Sequence, residues 1–447
     1  MSSALIELPK AFVDRIEHEN FYPSTLLSAL NGVSPISIRQ HPQKTAHAFE
    51  VSSKISWCEG GDYLRERPSY TLDPLFHAGC YYPQEAGSMN LDGIVRQLDL
   101  PEDPIVLDLC AAPGGKSTLL ASFLRGKGLL LANEPVPNRA AILKENLIKW
   151  GYKNTIVVSN KPSDFEALPF HFDVIAVDAP CSGEGMFRKD QNARSEWSPS
   201  NADMCAVRQQ DILTEIWPSL AENGYLIYST CTFNTNENEG LARFAQNELG
   251  ATMVTLTVDE HLKNGRDGLG YYCLPGTVET EGFYFVVLQK KTSTRDSKVR
   301  IKAKSAVCHD LKIVESFVDV AQEDAVLLWE NKLFLHPKKF TDHFLAAQAN
   351  LRIMKFGTEL GEIAKKGLIP HHALAMQVNS NPLKKASIEV DKSTALSYLK
   401  GDAIKVDGAL GWVTVTYKNQ ALGWINNLGT RSNNLYPKAW RIRMKTD

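Results

Sequence analysis

Two cysteines and an aspartate stand where apolar runs of this chain give way to polar turns, in Asp178-Ala179-Pro180-Cys181-Ser182-Gly183-Glu184-Gly185 and in Ser229-Thr230-Cys231-Thr232. Two thiols beside a carboxylate have a specific chemical use. Carbon 5 of a pyrimidine is too weak a nucleophile to attack a methyl sulfonium, but a thiolate adding to carbon 6 turns the ring into an enamine-like adduct that is strong enough. The acid can hydrogen-bond ring N3, where charge accumulates, and a second base must remove the carbon 5 proton and expel the enzyme. Enzymes that methylate exocyclic amines carry Asn/Asp-Pro-Pro-aromatic at this position, and here a cysteine replaces the aromatic. The competing reading makes both cysteines small buried hydrophobes, the usual fate of a free thiol.

A second constellation lies upstream, in Asp108-Leu109-Cys110-Ala111-Ala112-Pro113-Gly114-Gly115-Lys116-Ser117. An apolar run, a glycine-rich turn and a helix start make a polar-ligand site out of backbone N–H groups. The GKS ending suggests a phosphate-binding P-loop, yet that motif needs glycine where Cys110 stands, and the dinucleotide pattern G-x-G-x-x-G is absent. A purely structural turn is the remaining alternative. The next apolar run ends at Asn133-Glu134, and a carboxylate there can accept two hydrogen bonds from a ribose diol. Asn160, after the third run, can read an adenine edge with its amide.

The elements that must position these groups are legible as alternation. Strands are expected at 105–109, 128–133, 155–159, 172–178, 224–229 and 282–289. Helices fall near 115–125, 137–150, 202–220 and 236–249, the second with Pro137 in its first turn. Continuous apolar strands separated by helices predict a doubly wound α/β sheet, whose ligands sit outside the carboxyl ends of the strands. Four units are expected: an N-terminal module at 1–100, the α/β domain at 101–292, a basic linker and small domain at 293–370, and a β-rich unit at 371–447. Residues 341–366 read as helical, and Trp412–Tyr417 alternates as a strand.

Composition bounds the class. The 447 residues are 43% hydrophobic and 22% charged, with a net charge of −2, which excludes a disordered or fibrous chain. That near-neutrality hides a division: residues 1–290 hold 24 Lys+Arg against 36 Asp+Glu, and residues 291–447 hold 25 against 15. A basic back part suggests a polyanionic partner. The 8 cysteines form no C-x-x-C pair for zinc or redox work, so no metal is expected. No signal peptide or membrane-spanning run is seen, and a cytosolic protein with reduced thiols is expected.

The strings DLCAAPGGKS (108–117), DAPCSGEG (178–185) and STCTFNTNENE (229–239) resemble the motifs of the Nop2/Sun family of S-adenosylmethionine-dependent RNA cytosine-C5 methyltransferases. PQEAGSM (83–89), MFRKD (186–190) and EWS (196–198) are similar to the family too. Residues 423–443 resemble the PUA-like end of its bacterial branch acting on small-subunit ribosomal RNA. The resemblance implies a Rossmann-like class I methyltransferase sheet between a small N-terminal RNA-binding module and a PUA-like extension. It makes Cys231 the nucleophile, Cys181 the cysteine that assists release and Asp178 the contact to the base. Cys110, Ala111, Ala112, Pro113, Gly114, Gly115 and Lys116, with Glu134, Asn160 and Asp178, would hold S-adenosylmethionine. Asp164 is the alternative to Asn160, and Arg39-Gln40-His41 stands where the family has Arg-x-Asn. The implied partner is RNA, most simply 16S ribosomal RNA or the small subunit, with a flipped-out or unpaired cytosine. A transfer-RNA substrate and a non-catalytic assembly factor are the alternatives. An acidic catalytic domain also needs local cations, and Arg188 and Lys189 are the expected ones. A monomer is the default for an enzyme docking on a larger particle.

Overall fold

The computed structural model describes residues 6–292, 305–378 and 383–444; the basic stretch 293–304, read above as a linker, lies outside them. Six strands carry the centre: β1 (Ile105–Asp108), β2 (Leu129–Asn133), β3 (Thr155–Val158), β4 (Phe172–Asp178), β5 (Leu220–Thr230) and β6 (Phe283–Lys290). β1 to β5 run parallel in the order β3-β2-β1-β4-β5, and β6 lies antiparallel on β5. Their apolar side chains are buried on both faces, one against Leu213, Ile216 and Leu241, the other against Leu120, Leu143 and Trp150. That two-sided burial is why the strands read as continuous rather than alternating. Register aligns the strand ends that matter, with Asp108 opposite Ala132 and Asp178 opposite Ser229.

Helices Gly115–Leu124, Pro137–Trp150, Pro199–Ile216 and Glu239–Glu248 cover the sheet. The second begins on its proline and stops at Gly151, whose φ of 90° ends the helix in the left-handed region. The expected helix 202–220 ends earlier, at Ile216, and β5 already starts at Leu220.

The expected helix 341–366 is corrected. Thr341–Asn350 is helical, but Ile353–Phe356 is a strand, β7, paired antiparallel with β3, and Thr358–Ala364 is a strand of another sheet. Gly357 between them has φ 57°, and a Cβ at Gly361 would fall 2.2 Å from the Ile369 oxygen, so neither position suits a helix. Lys355 reaches back with its Nζ to Thr155 Oγ1 at 2.5 Å and the Gly357 oxygen at 2.7 Å.

The flanking units are β-rich. The N-terminal sheet runs Val51–Lys54, Gly61–Leu64, Ser37–Gln40, Tyr81–Pro83. The helix Lys10–His18 before it packs on the central core, setting the ring of Phe12 edge-on to Phe187 at 5.0 Å and Trp197 at 5.9 Å. Five strands from Ala306 to Pro370 form a further sheet, and four from Ala386 to Asn434 form the last, which includes Gly411–Tyr417 as its alternation predicts. Among the described residues no helix is long and apolar enough to cross a membrane.

Candidate active site

The carboxyl ends of β1, β4 and β5 open into one cavity of about 280 Å³. Its wall includes Cys110, Ala111, Ala112, Pro113, Gly115, Lys116, Asp178 and Cys231, with Lys189 at the rim and Tyr82, Gln84 and Phe283 facing them.

The glycine-rich turn is shaped by backbone bonds. Leu109 N donates to Ala176 O and Ala111 N to Asn133 O, while Asn133 Nδ2 returns a bond to Leu109 O at 3.0 Å. Gly114 at φ 119° starts the helix, and a Cβ on Gly115 would lie 3.4 Å from the Tyr82 ring. Under the turn Asp108 is fully buried. Its Oδ2 accepts from Ser117 Oγ at 2.6 Å, its Oδ1 has no partner among the described residues, and burial pushes its pKa up to about 7. Burial likewise pushes the Cys110 thiol up.

Lys116 joins this turn to the end of β4. Its Nζ lies 2.8 Å from Asp178 Oδ2 and 5.1 Å from the centre of the Phe283 ring. Burial is the largest single influence and pulls its pKa down, but the charge and hydrogen bond of Asp178, with smaller contributions from Asp108 and Cys231, together outweigh it and hold the ammonium above its ordinary value. Asp178 Oδ1 accepts from Ser229 Oγ at 2.9 Å.

The two expected cysteines meet: Cys181 Sγ and Cys231 Sγ are 3.4 Å apart, both free thiols. The contact with Cys231 and then burial raise the Cys181 pKa well above the ordinary thiol range. Two buried acids outside the sequence-derived set hold the loops around them. Glu237 accepts from Ser182 N and Gln209 Nε2, each at 2.9 Å, and burial pushes its pKa up to about 7. Glu184 accepts from Phe233 N at 2.9 Å and from Arg15 at 2.7 Å. Both acids stand inside the strings that carry the cysteines, and acids among small residues were the available signal.

Other expected residues are placed differently. Glu134 is buried and not among the cavity-wall residues; its Oε1 accepts from Val136 N at 3.0 Å and its Oε2 lies 3.4 Å from Arg139. The amide of Asn160 is spent inside the fold, Nδ2 donating to Asp164 Oδ2 and Oδ1 accepting from Arg352 N, both at 2.9 Å. Arg188, expected as a cleft cation, is corrected: its guanidinium is buried against Glu281 at 2.8 Å and carbonyl oxygens of Thr280 and Ala29, so it ties loops together. Arg39 is also interior, bonded to Gln84 Oε1 at 2.9 Å and Thr118 Oγ1 at 2.7 Å, and burial lowers its pKa to about 10.

The chain is similar to known proteins along most of its length. Residues 95–289 match the family described as 16S rRNA methyltransferase RsmB/F, and residues 8–86, 312–378 and 385–442 match the N-terminal, first C-terminal and PUA domains of its RsmF members. Ribosomal RNA small subunit methyltransferase F of Salmonella agona is 31% identical over 472 residues, covering 98% of this chain and 97% of that one. The Escherichia coli enzyme of the same name is 28% identical, covering 90% and 88%. A methyltransferase homologue from Pyrococcus horikoshii superposes with a TM-score of 0.55 at 25% identity, covering 65% of this chain and 100% of that one. Sheet order, flanking domains and near full-length likeness agree: the fold is a class I methyltransferase fold, and the chain belongs to the 16S rRNA methyltransferase RsmB/F family, in its RsmF branch.

Proposed function

We propose that this chain is a cytoplasmic, S-adenosylmethionine-dependent methyltransferase of carbon 5 of a cytosine in 16S ribosomal RNA. The observation that carries the reading is the pair of free thiols, 3.4 Å apart, with Cys231 on the wall of the cavity that also holds the Cys110–Lys116 turn and Asp178. The residues fit the cofactor. The turn offers backbone donors at a helix start, and the unpartnered Asp108 Oδ1 is an acceptor for an amine-bearing ligand. Cys110 to Lys116 would hold it, with Glu134 directly after the end of β2. When bound, it supplies an electrophilic methyl group.

The Cys231 thiol proton passes to Asp178 as the sulfur adds to carbon 6 of an extruded cytosine, sending the electron pair toward N3 and making carbon 5 nucleophilic. Asp178 hands that proton to N3, and Lys116 balances the carboxylate left behind. After methyl transfer the carbon 5 proton must leave. Cys181, 3.4 Å from the Cys231 sulfur, passes its own thiol proton to that sulfur as the carbon 6–sulfur bond breaks and takes the carbon 5 proton in its place.

The roles predict opposite failures. Cys231→Ala abolishes methylation with cofactor affinity unchanged, and Cys181→Ala forms the adduct and retains it, giving a protein–RNA band on a denaturing gel. Trapped RNA in Cys231→Ala, or normal turnover in either variant, rules the assignment out. Radiolabelled S-adenosylmethionine with unmodified 16S RNA, 30S subunits and transfer RNA, followed by mapping of 5-methylcytosine, tests the substrate; label confined to transfer RNA overturns it.

A further inference from the structure

Cys181 follows β4 and Cys231 follows β5, so nothing in the sheet itself fixes the distance between the two sulfurs. The loops that carry them are joined by reciprocal bonds. From the Cys231 loop, Glu237 Oε2 accepts from Ser182 N at 2.9 Å and Oε1 accepts from Ser182 Oγ at 2.5 Å; that hydroxyl lies 2.8 Å from Thr232 Oγ1. From the Cys181 loop, Gly185 N donates to Cys231 O at 2.7 Å. Ser182 and Thr232 each directly follow a cysteine.

The two buried acids differ in their surroundings. Glu184 has Arg15 as counter-charge, whereas Glu237 has no ion pair among the described residues and is held by Ser182 and Gln209, all neutral donors. A buried carboxylate without a cation is costly, and such groups concentrate at functional sites. Glu237 touches neither thiol directly, so it acts through Ser182.

We propose that Glu237 is a positioning residue for product release: through Ser182 it holds the Cys181 thiol against the Cys231 thiol. The inference rests on the cysteine roles proposed above. Loss of the brace lets the Cys181 loop drift while Cys231 stays at the end of β5, so addition survives and release fails. A displacement of about 1 Å costs on the order of 100-fold in rate.

The test compares Glu237→Gln, Ser182→Ala and Cys181→Ala with the unaltered protein, reading turnover, cofactor affinity and covalent protein–RNA adduct. In Glu237→Gln, which leaves one acceptor oxygen where Ser182 N and Ser182 Oγ used two, turnover should fall about 100-fold. Cofactor affinity should hold within twofold, and adduct should accumulate as in Cys181→Ala although both cysteines are present. Ser182→Ala keeps the backbone bond and should accumulate adduct partially; it decides the matter if Glu237→Gln does not fold. Normal turnover in both variants, or lost turnover without adduct, overturns the proposal. Adduct in Cys181→Ala but in neither brace variant refutes the brace alone, whereas its absence from Cys181→Ala removes the cysteine roles and the brace with them.

Discussion

The cavity has two sides built by different means. The turn at 110–116 is held chiefly by main-chain bonds to neighbouring strands and by a glycine at φ 119°, while the cysteine loops, joined by one main-chain bond from Gly185 N to Cys231 O, are otherwise held by side-chain carboxylates crossing from one to the other. Backbone shaping makes a cradle whose grip depends on conformation rather than on side-chain identity. Side-chain bracing sets one distance, between two sulfurs to which the proposed mechanism gives successive steps. Substitutions on the first side should therefore move binding, and those on the second should move chemistry.

The sharpest break of that contrast is Gly185→Ala. Its Cβ would stand 2.6 Å from Cys231 O and 2.8 Å from Glu281 O, so the Cys231 loop must shift. Methylation should fall by about 100-fold or more with cofactor affinity unchanged, measured by methyl transfer and equilibrium binding. Gly114→Ala is the counterpart: forcing an alanine to φ 119° costs roughly 1–3 kcal/mol. Cofactor affinity should drop about tenfold, with turnover recovered at saturating cofactor.

A smaller effect follows from Asp108. Burial raises its folded-state pKa to about 7, against roughly 3.9 when unfolded, so its contribution to stability is full below about pH 4 and is lost as pH rises toward 7. Asp108→Asn should melt a few degrees higher than the unaltered protein at pH 8, with the two curves converging near pH 4. The smallest effect concerns the far end of the chain. Replacing the exposed Lys405, Lys418 and Lys438 by glutamine should weaken RNA binding and flatten its salt dependence by up to about 0.7 per lost phosphate contact, leaving both sides of the cavity untouched. An unchanged salt slope would return those lysines to ordinary solvated surface.

Local pattern carried the central sheet, because each strand is an uninterrupted apolar run and each helix has a start or stop signal such as Pro137 or Gly151. The cysteines and the glycine turn were legible because their types are rare and their spacing from strand ends is fixed. Glu237 and Glu184 stand within those strings, but no role is legible there, since a brace is defined by a partner some 50 residues away. Arg188 differs from expectation for a related reason: an arginine beside a cleft motif looks solvent-facing until Glu281 is brought to it by the fold. Asn160 kept its place at a strand end, but its amide is engaged by Asp164 and by Arg352 N, the latter 192 residues away. The segment 353–364 was read as helix because its pairing partners, β3 and the strand Lys332–Pro337, do not show in a local window.

The pairing of β7 with β3 bears on how the molecule is made. A chain emerging in order completes β1 to β6 before residue 353 exists, and until then β3 offers a row of unpaired N–H and C=O groups to any neighbouring chain. β7 then caps that row with a strand only four residues long, whose Lys355 turns inward and is 7% exposed. Short strands and inward-pointing charges are poor templates for intermolecular pairing. The C-terminal third thus protects the catalytic sheet from aggregation, and a fragment ending at Lys290 would keep the catalytic strands while losing that protection.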